Sequence, residues 1–193
     1  MNSVPIDNRM AVFRAVAKIL KEEEEAWKEA REANSGRFAY CFGVRAAPEL
    51  AIAYLTWREI LCRSRVTGFV EPERKVSGGM MDLWIGDCRE GPGLGIEFKF
   101  LMSGKEARTV VPQAERLWLA PDVSSAAFVM WGHGPRNPEE VSLNPARFTW
   151  PIADGRWTQW KELAHEDFPA RYKEDSQCHV WLYGSDRIAL VGG

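Results

Sequence analysis

The chain has no Cys-x-x-Cys pair. Its four cysteines, Cys41, Cys62, Cys88 and Cys178, are scattered, which argues against a zinc site or a disulfide framework and fits a reducing cytoplasm. No apolar run approaches the length that crosses a bilayer, and Met1 to Asn8 lacks the basic-then-apolar order of a signal peptide. Internal repeats and low-complexity segments are missing too. So is a basic excess: 25 Lys and Arg against 27 Asp and Glu give a net charge of −2. That balance counts against a non-specific nucleic-acid binder. Basic residues gather only locally, as Arg63 with Arg65, Arg74 with Lys75 and Lys105 with Arg108.

What is present suits one folded unit. In 193 residues, 46% are apolar and nine are tryptophan, enough for a single well-buried core. Trp150, Trp157, Trp160 and Trp181 have the chemistry to stack bases, but the core is the usual place for tryptophan.

The spacing predicts a long helix over 9–33, with Met10, Phe13, Val16, Leu20 and Trp27 inward, Asp7 or Asn8 as N-cap, and Glu22 to Glu25 on a solvated face. A second helix is expected over 47–63, opened by Pro48 and carrying the stripe Leu50, Tyr54, Trp57 and Leu61. Glu49 stands one position before that stripe, on the side of Ala53 and Ile60. Residues 66–76 hold a first strand. A short helix is expected from Pro112 to Ala120 with Gln113 in its first turn, then a strand over 124–131 parallel to its neighbour. Residues 132–145, with His133, read as a loop, 161–172 as a helix, and 180–191 as a terminal hairpin turning at Gly184-Ser185-Asp186.

The chemistry-bearing residues lie between Met80 and Leu101. Two strands are expected there, joined by a Gly/Pro-rich turn that lacks the spacing of a dinucleotide loop. Ile96, Phe98 and Phe100 alternate with Glu97 and Lys99, so Glu97 and Lys99 project together; Asp82 on the preceding strand can face the same side. Two carboxylates on adjacent strands suit a hard divalent cation, which activates water and neutralises charge on a phosphoryl oxygen. A neighbouring lysine can orient or deprotonate that water. The plain alternative is a charged, solvated hairpin.

At Asp82, Glu97-Phe98-Lys99 and an upstream helical Glu49, the sequence resembles the PD-(D/E)XK nuclease superfamily, over about residues 48–131. Met81 stands where the family name has proline. The resemblance implies an α/β fold, with a restriction-endonuclease-like core made of a central mixed β-sheet flanked by helices. An N-terminal helix and a C-terminal α+β extension, about 147–193, would complete a single domain. It implies a Mg²⁺- or Mn²⁺-dependent endonuclease acting on nucleic acid, DNA ahead of RNA, with a homodimer as the arrangement that would cut both strands. Asp82, Glu97, the Phe98 carbonyl and Glu49 would hold the metal. Lys99 would activate the water, and Gln113 would orient it or the phosphate. The alternative is a catalytically silent nuclease fold serving as a binding or accessory subunit of a larger nucleic-acid-processing assembly.

Overall fold

The computed structural model describes residues 7–34, 49–63, 66–76, 78–101, 107–137, 144–170 and 176–188. Cys41, Pro48, Arg65, Lys105 and residues 189–191, on which expectations were placed, lie outside the described residues. The described elements are helices α1 (Asn8–Ala33), α2 (Glu49–Arg63) and α3 (Ala107–Leu119), and strands β1 (Phe69–Val76), β2 (Gly79–Gly86), β3 (Gly93–Leu101), β4 (Val123–Pro135), β5 (Lys161–Pro169) and β6 (Ser176–Asp186). The strands form one six-stranded sheet in the order β1-β2-β3-β4-β6-β5. Only β3 and β4 pair in parallel, the crossover between them carrying α3; the other neighbours are antiparallel.

Both faces of this α/β mixed sheet are covered. Along β4, Ala127, Val129 and Trp131 pack with Leu83, Ile85, Ile96 and Phe98 under α1 and α2. The alternate residues Ala126, Phe128 and Met130 pack with Val110, Ala114 and Leu117 of α3 on the opposite face. Period-two alternation thus feeds two apolar layers from one strand. Trp157, Trp160 and Trp181 are at most 5% exposed, and Trp160 stacks between Trp118 and Trp150. These rings are core.

α1 begins where expected, with the Asp7 side chain accepting from the Arg9 N–H. Its acidic run is not all solvated. Glu24 is only 1% exposed, and its Oε1 lies 3.1 Å from His133 Nε2. His133 itself sits on β4 rather than in a loop.

Four further expectations are corrected. On α2 the larger side chains face out: Leu50, Tyr54 and Leu61 are 62%, 58% and 62% exposed, while Ile52, Ala53, Thr56 and Ile60 are buried. Helix α3 starts before Pro112 and carries it internally. The ring is exposed; it removes the hydrogen bond to the Arg108 carbonyl and crowds that carbonyl, a cost offset by Val110, Ala114 and Leu117 packing on the sheet. Residues 161–169 form an edge strand, not a helix, and β6 runs straight through Gly184 to Asp186, paired with β4 throughout and with β5 up to Gly184. Tertiary pairing with β6 overrides the helix-forming composition of Lys-Glu-Leu-Ala.

Among the described residues Cys62, Cys88 and Cys178 are free thiols, and no helix is long and apolar enough to cross a membrane.

Candidate active site

The site lies where β2 and β3 part. Their ladder runs from Gly86↔Gly93 to Leu83↔Ile96 and stops, while β3 continues beside β4 as far as Leu101↔Gly132. Opposite the stopping point on β1, Glu73 takes a left-handed φ of 50°, and the bridges skip from Pro72↔Leu83 to Arg74↔Met81. Met81 joins the α3-side cluster, although it shares parity with Leu83 and Ile85 on the other face. The strand therefore turns at Asp82.

Beyond the split, β3 has backbone donors on its β2 side that no ladder partner reaches. Side chains reach them instead, as a buried N–H requires. Phe98 N–H donates to Asp82 Oδ2 at 2.7 Å, and Phe100 N–H donates to Glu49 Oε2 at 2.9 Å. The other Glu49 oxygen accepts from Lys99 Nζ at 3.1 Å. Glu49 can do this because it begins the buried line Glu49, Ala53, Thr56 and Ile60 of α2, so the first turn of that helix ends on the exposed edge of β3. An extended residue turns its N–H and C=O to the same edge, which puts the Phe98 carbonyl on the split side too.

Asp82 and Glu97 face each other across the split, close enough for the Asp82 charge to disfavour charge on Glu97. Burial, and next the Asp82 carboxylate, push Glu97 up to about 8, against the pull of Arg116. Asp82 is raised as well, chiefly by burial, against the hydrogen bonds from Phe98 N–H and Glu97. Arg116 Nη2 donates to Glu97 Oε1 at 2.5 Å, and Glu97 is 2% exposed.

The structure thus brings Asp82, Glu97, Glu49, Lys99 and the Phe98 backbone to one place, as the sequence led us to expect. Gln113 is placed differently. It lies in the middle of α3 rather than in a first turn, so the helix-dipole argument for it fails. Its Oε1 is buried without a hydrogen-bond partner, as is the Nε of Arg116 one turn later. Arg116 was missed from sequence. The one signal for it is its i+3 spacing from Gln113, which puts the two on one helix face.

Hard oxygen donors gathered in one place suit a Mg²⁺-type cation, which keeps several waters and needs few protein ligands. A cation would offset the repulsion that Asp82 exerts on Glu97. Glu49 is turned toward Lys99 and the Phe100 amide, and no group of three His, Cys, Asp or Glu side chains is spaced to hold a metal among the described residues. Asp82, Glu97 and the Phe98 carbonyl are the donors that would hold it. No protein-family model, curated protein or solved structure matches the chain.

Proposed function

We propose that the protein is a divalent-metal-dependent nuclease that hydrolyses phosphodiester bonds of nucleic acid, with DNA the first substrate to test, built on a restriction-endonuclease-like core. The observation that carries this is the gathering of Asp82 and buried Glu97 at a split sheet edge beside Lys99 and Glu49. A surface ion network does not bury two acids against each other, because each like charge raises the other's cost. Functional sites do.

In this reading Asp82, Glu97 and the Phe98 carbonyl hold Mg²⁺ or Mn²⁺, with Glu49 assisting through water. When bound, the cation supplies a water of lowered pKa and neutralises charge on the leaving oxygen. Lys99 is fixed at the edge by Glu49; its ammonium orients the attacking water and stabilises charge developing on the phosphoryl group. Gln113 offers a buried acceptor oxygen that has no partner in the protein, suited to the O–H of a positioned water.

The test is cleavage of supercoiled plasmid, single-stranded DNA and RNA with Mg²⁺ or Mn²⁺, by wild type and Asp82→Ala. Metal-dependent cutting lost in the variant is expected. Equal cutting by Asp82→Ala would overturn the assignment. A second reading, a silent nuclease fold acting as an accessory subunit, is favoured by Glu49 being engaged with Lys99 rather than converging on the acid pair. It predicts that wild type binds no divalent cation at this site.

A further inference from the structure

We infer that Arg116 is the phosphate receptor of this site, the group that takes a non-bridging oxygen of the nucleic-acid backbone; the inference rests on the nuclease reading above. A guanidinium has five N–H donors in a planar fork. In Arg116, Nη2 is bonded to Glu97, and Nε is buried with no partner. Leaving such a donor unmet costs stability, and a side chain held only for structure would satisfy it.

The side chain is held in place from above. The β1–β2 turn presses its backbone against the guanidinium: a Cβ built on Gly79 would stand 2.8 Å from Arg116 Nη1, and one on Gly78 would stand 3.8 Å from its Cδ. Gly79, at positive φ, thus leaves beside the guanidinium the space that a side chain there would take. The bond to Glu97 is the other restraint. A cation on Asp82 and Glu97 would draw charge from the same Glu97 oxygens, weakening the hold on Arg116 where a phosphate arrives. Charge-assisted forks to phosphate are among the strongest hydrogen bonds available to a protein, and arginine makes them in two-pronged form.

The experiment reads binding rather than cutting. Affinity for a dye-labelled DNA duplex is measured by fluorescence anisotropy in Mg²⁺ across a salt series, in a Lys99→Ala background. A phosphate contact made by arginine contributes about 0.9 to the slope of log K against log salt. Adding Arg116→Gln should make that slope shallower by about 0.9 and weaken binding about tenfold at physiological salt. Arg116→Lys, still cationic, should keep the slope. Arg31→Gln, exposed at the end of α1, makes the same charge change on the opposite side of the sheet and should leave the slope unchanged. If Arg116→Gln does not fold, Gly79→Ala displaces the guanidinium with every charge retained and should shallow the slope likewise.

An unchanged slope in a folded Arg116→Gln, or no duplex binding by the background variant, overturns the inference. Cleavage by wild type separates the two readings. Cutting with an unchanged slope removes Arg116 and keeps the nuclease. A shallower slope without metal-dependent cutting keeps Arg116 as a phosphate receptor and removes the nuclease.

Discussion

The metal-free protein should lose stability as pH rises from 5 to 8.5, and Glu97→Gln should abolish most of that loss. Glu97 is raised from an ordinary 4.5 to about 8, by burial first and by Asp82 next. Between those values the folded chain holds a proton that the unfolded chain has released. Raising the pH through that window therefore pulls toward the unfolded state. The benefit is complete below about 4.5, fades across the window and is gone above about 8. Asp82, also raised, acts in the same direction.

Each pH unit is worth about 1.4 kcal/mol, so the span from 4.5 to about 8 corresponds to about 5 kcal/mol as a ceiling. Water reaches half-buried Asp82 and the 20%-exposed Arg116 side chain, and screening leaves about half of that. For a chain of this size the result is about 5–10 °C in Tm. The assay is thermal unfolding in EDTA at pH 5 to 8.5, wild type against Glu97→Gln. The two should coincide near pH 5 and diverge above pH 7, the variant melting higher. Added Mg²⁺ should recover wild type at pH 8.5 and leave the variant nearly unmoved. Parallel Tm curves for the two proteins across this range would refute the buried-pair account.

Two further outcomes bear on the fold and the site. Lys99→Ala should cost about 10²–10⁴ in cleavage rate while metal affinity, by calorimetric titration, stays within a few fold; retained cleavage would remove Lys99 from the chemistry. On α2, Ile52→Ala should destabilise by about 2–5 kcal/mol through the cavity it leaves, whereas Leu50→Ala should stay within about 0.5 kcal/mol, both read by urea unfolding. The reverse order would mean that the larger residues of α2 are its packed face after all.

Strong periodicity made much of the frame legible. The 3.6-residue spacing of α1, the alternation Ile96–Phe98–Phe100, and the apolar run of β4 each leave one solution. Helix α2 left two. The lines Leu50–Tyr54–Trp57–Leu61 and Glu49–Ala53–Thr56–Ile60 lie one residue apart and both fit a helix; side-chain size pointed to the first, and packing under α1 selected the second. Pro112 suggested a helix start because proline favours that position, yet α3 carries it internally, the lost bond and crowded carbonyl being offset by Val110, Ala114 and Leu117 packing on the sheet. The β5 segment is polar and helix-prone, and nothing local reveals that β6 pairs with it. Asp82, Glu97 and Lys99 were readable because they form a short pattern. Arg116 belongs to no pattern, and Glu24 looked like one more acid in an acidic run until β4 placed His133 beside it.

The same atoms account for the site's instability and for its use. Had β2 stayed paired with β3 past Leu83↔Ile96, backbone carbonyls would have met the amides of Phe98 and Phe100 at no electrostatic cost. The split substitutes Asp82 and Glu49 for those carbonyls, and carboxylates answer an N–H more strongly than carbonyls do. It also brings Asp82 against Glu97 in a place where two negative charges are not tolerated. A proton, a cation or Arg116 must relieve that repulsion. Arg116 is bonded to Glu97 and the Lys99 charge favours the Asp82 carboxylate; in the proposed reading a divalent cation would neutralise both acids at once. Stabilisation of the metal-free protein by Glu97→Gln, together with loss of its response to Mg²⁺, would locate both effects in that one carboxylate.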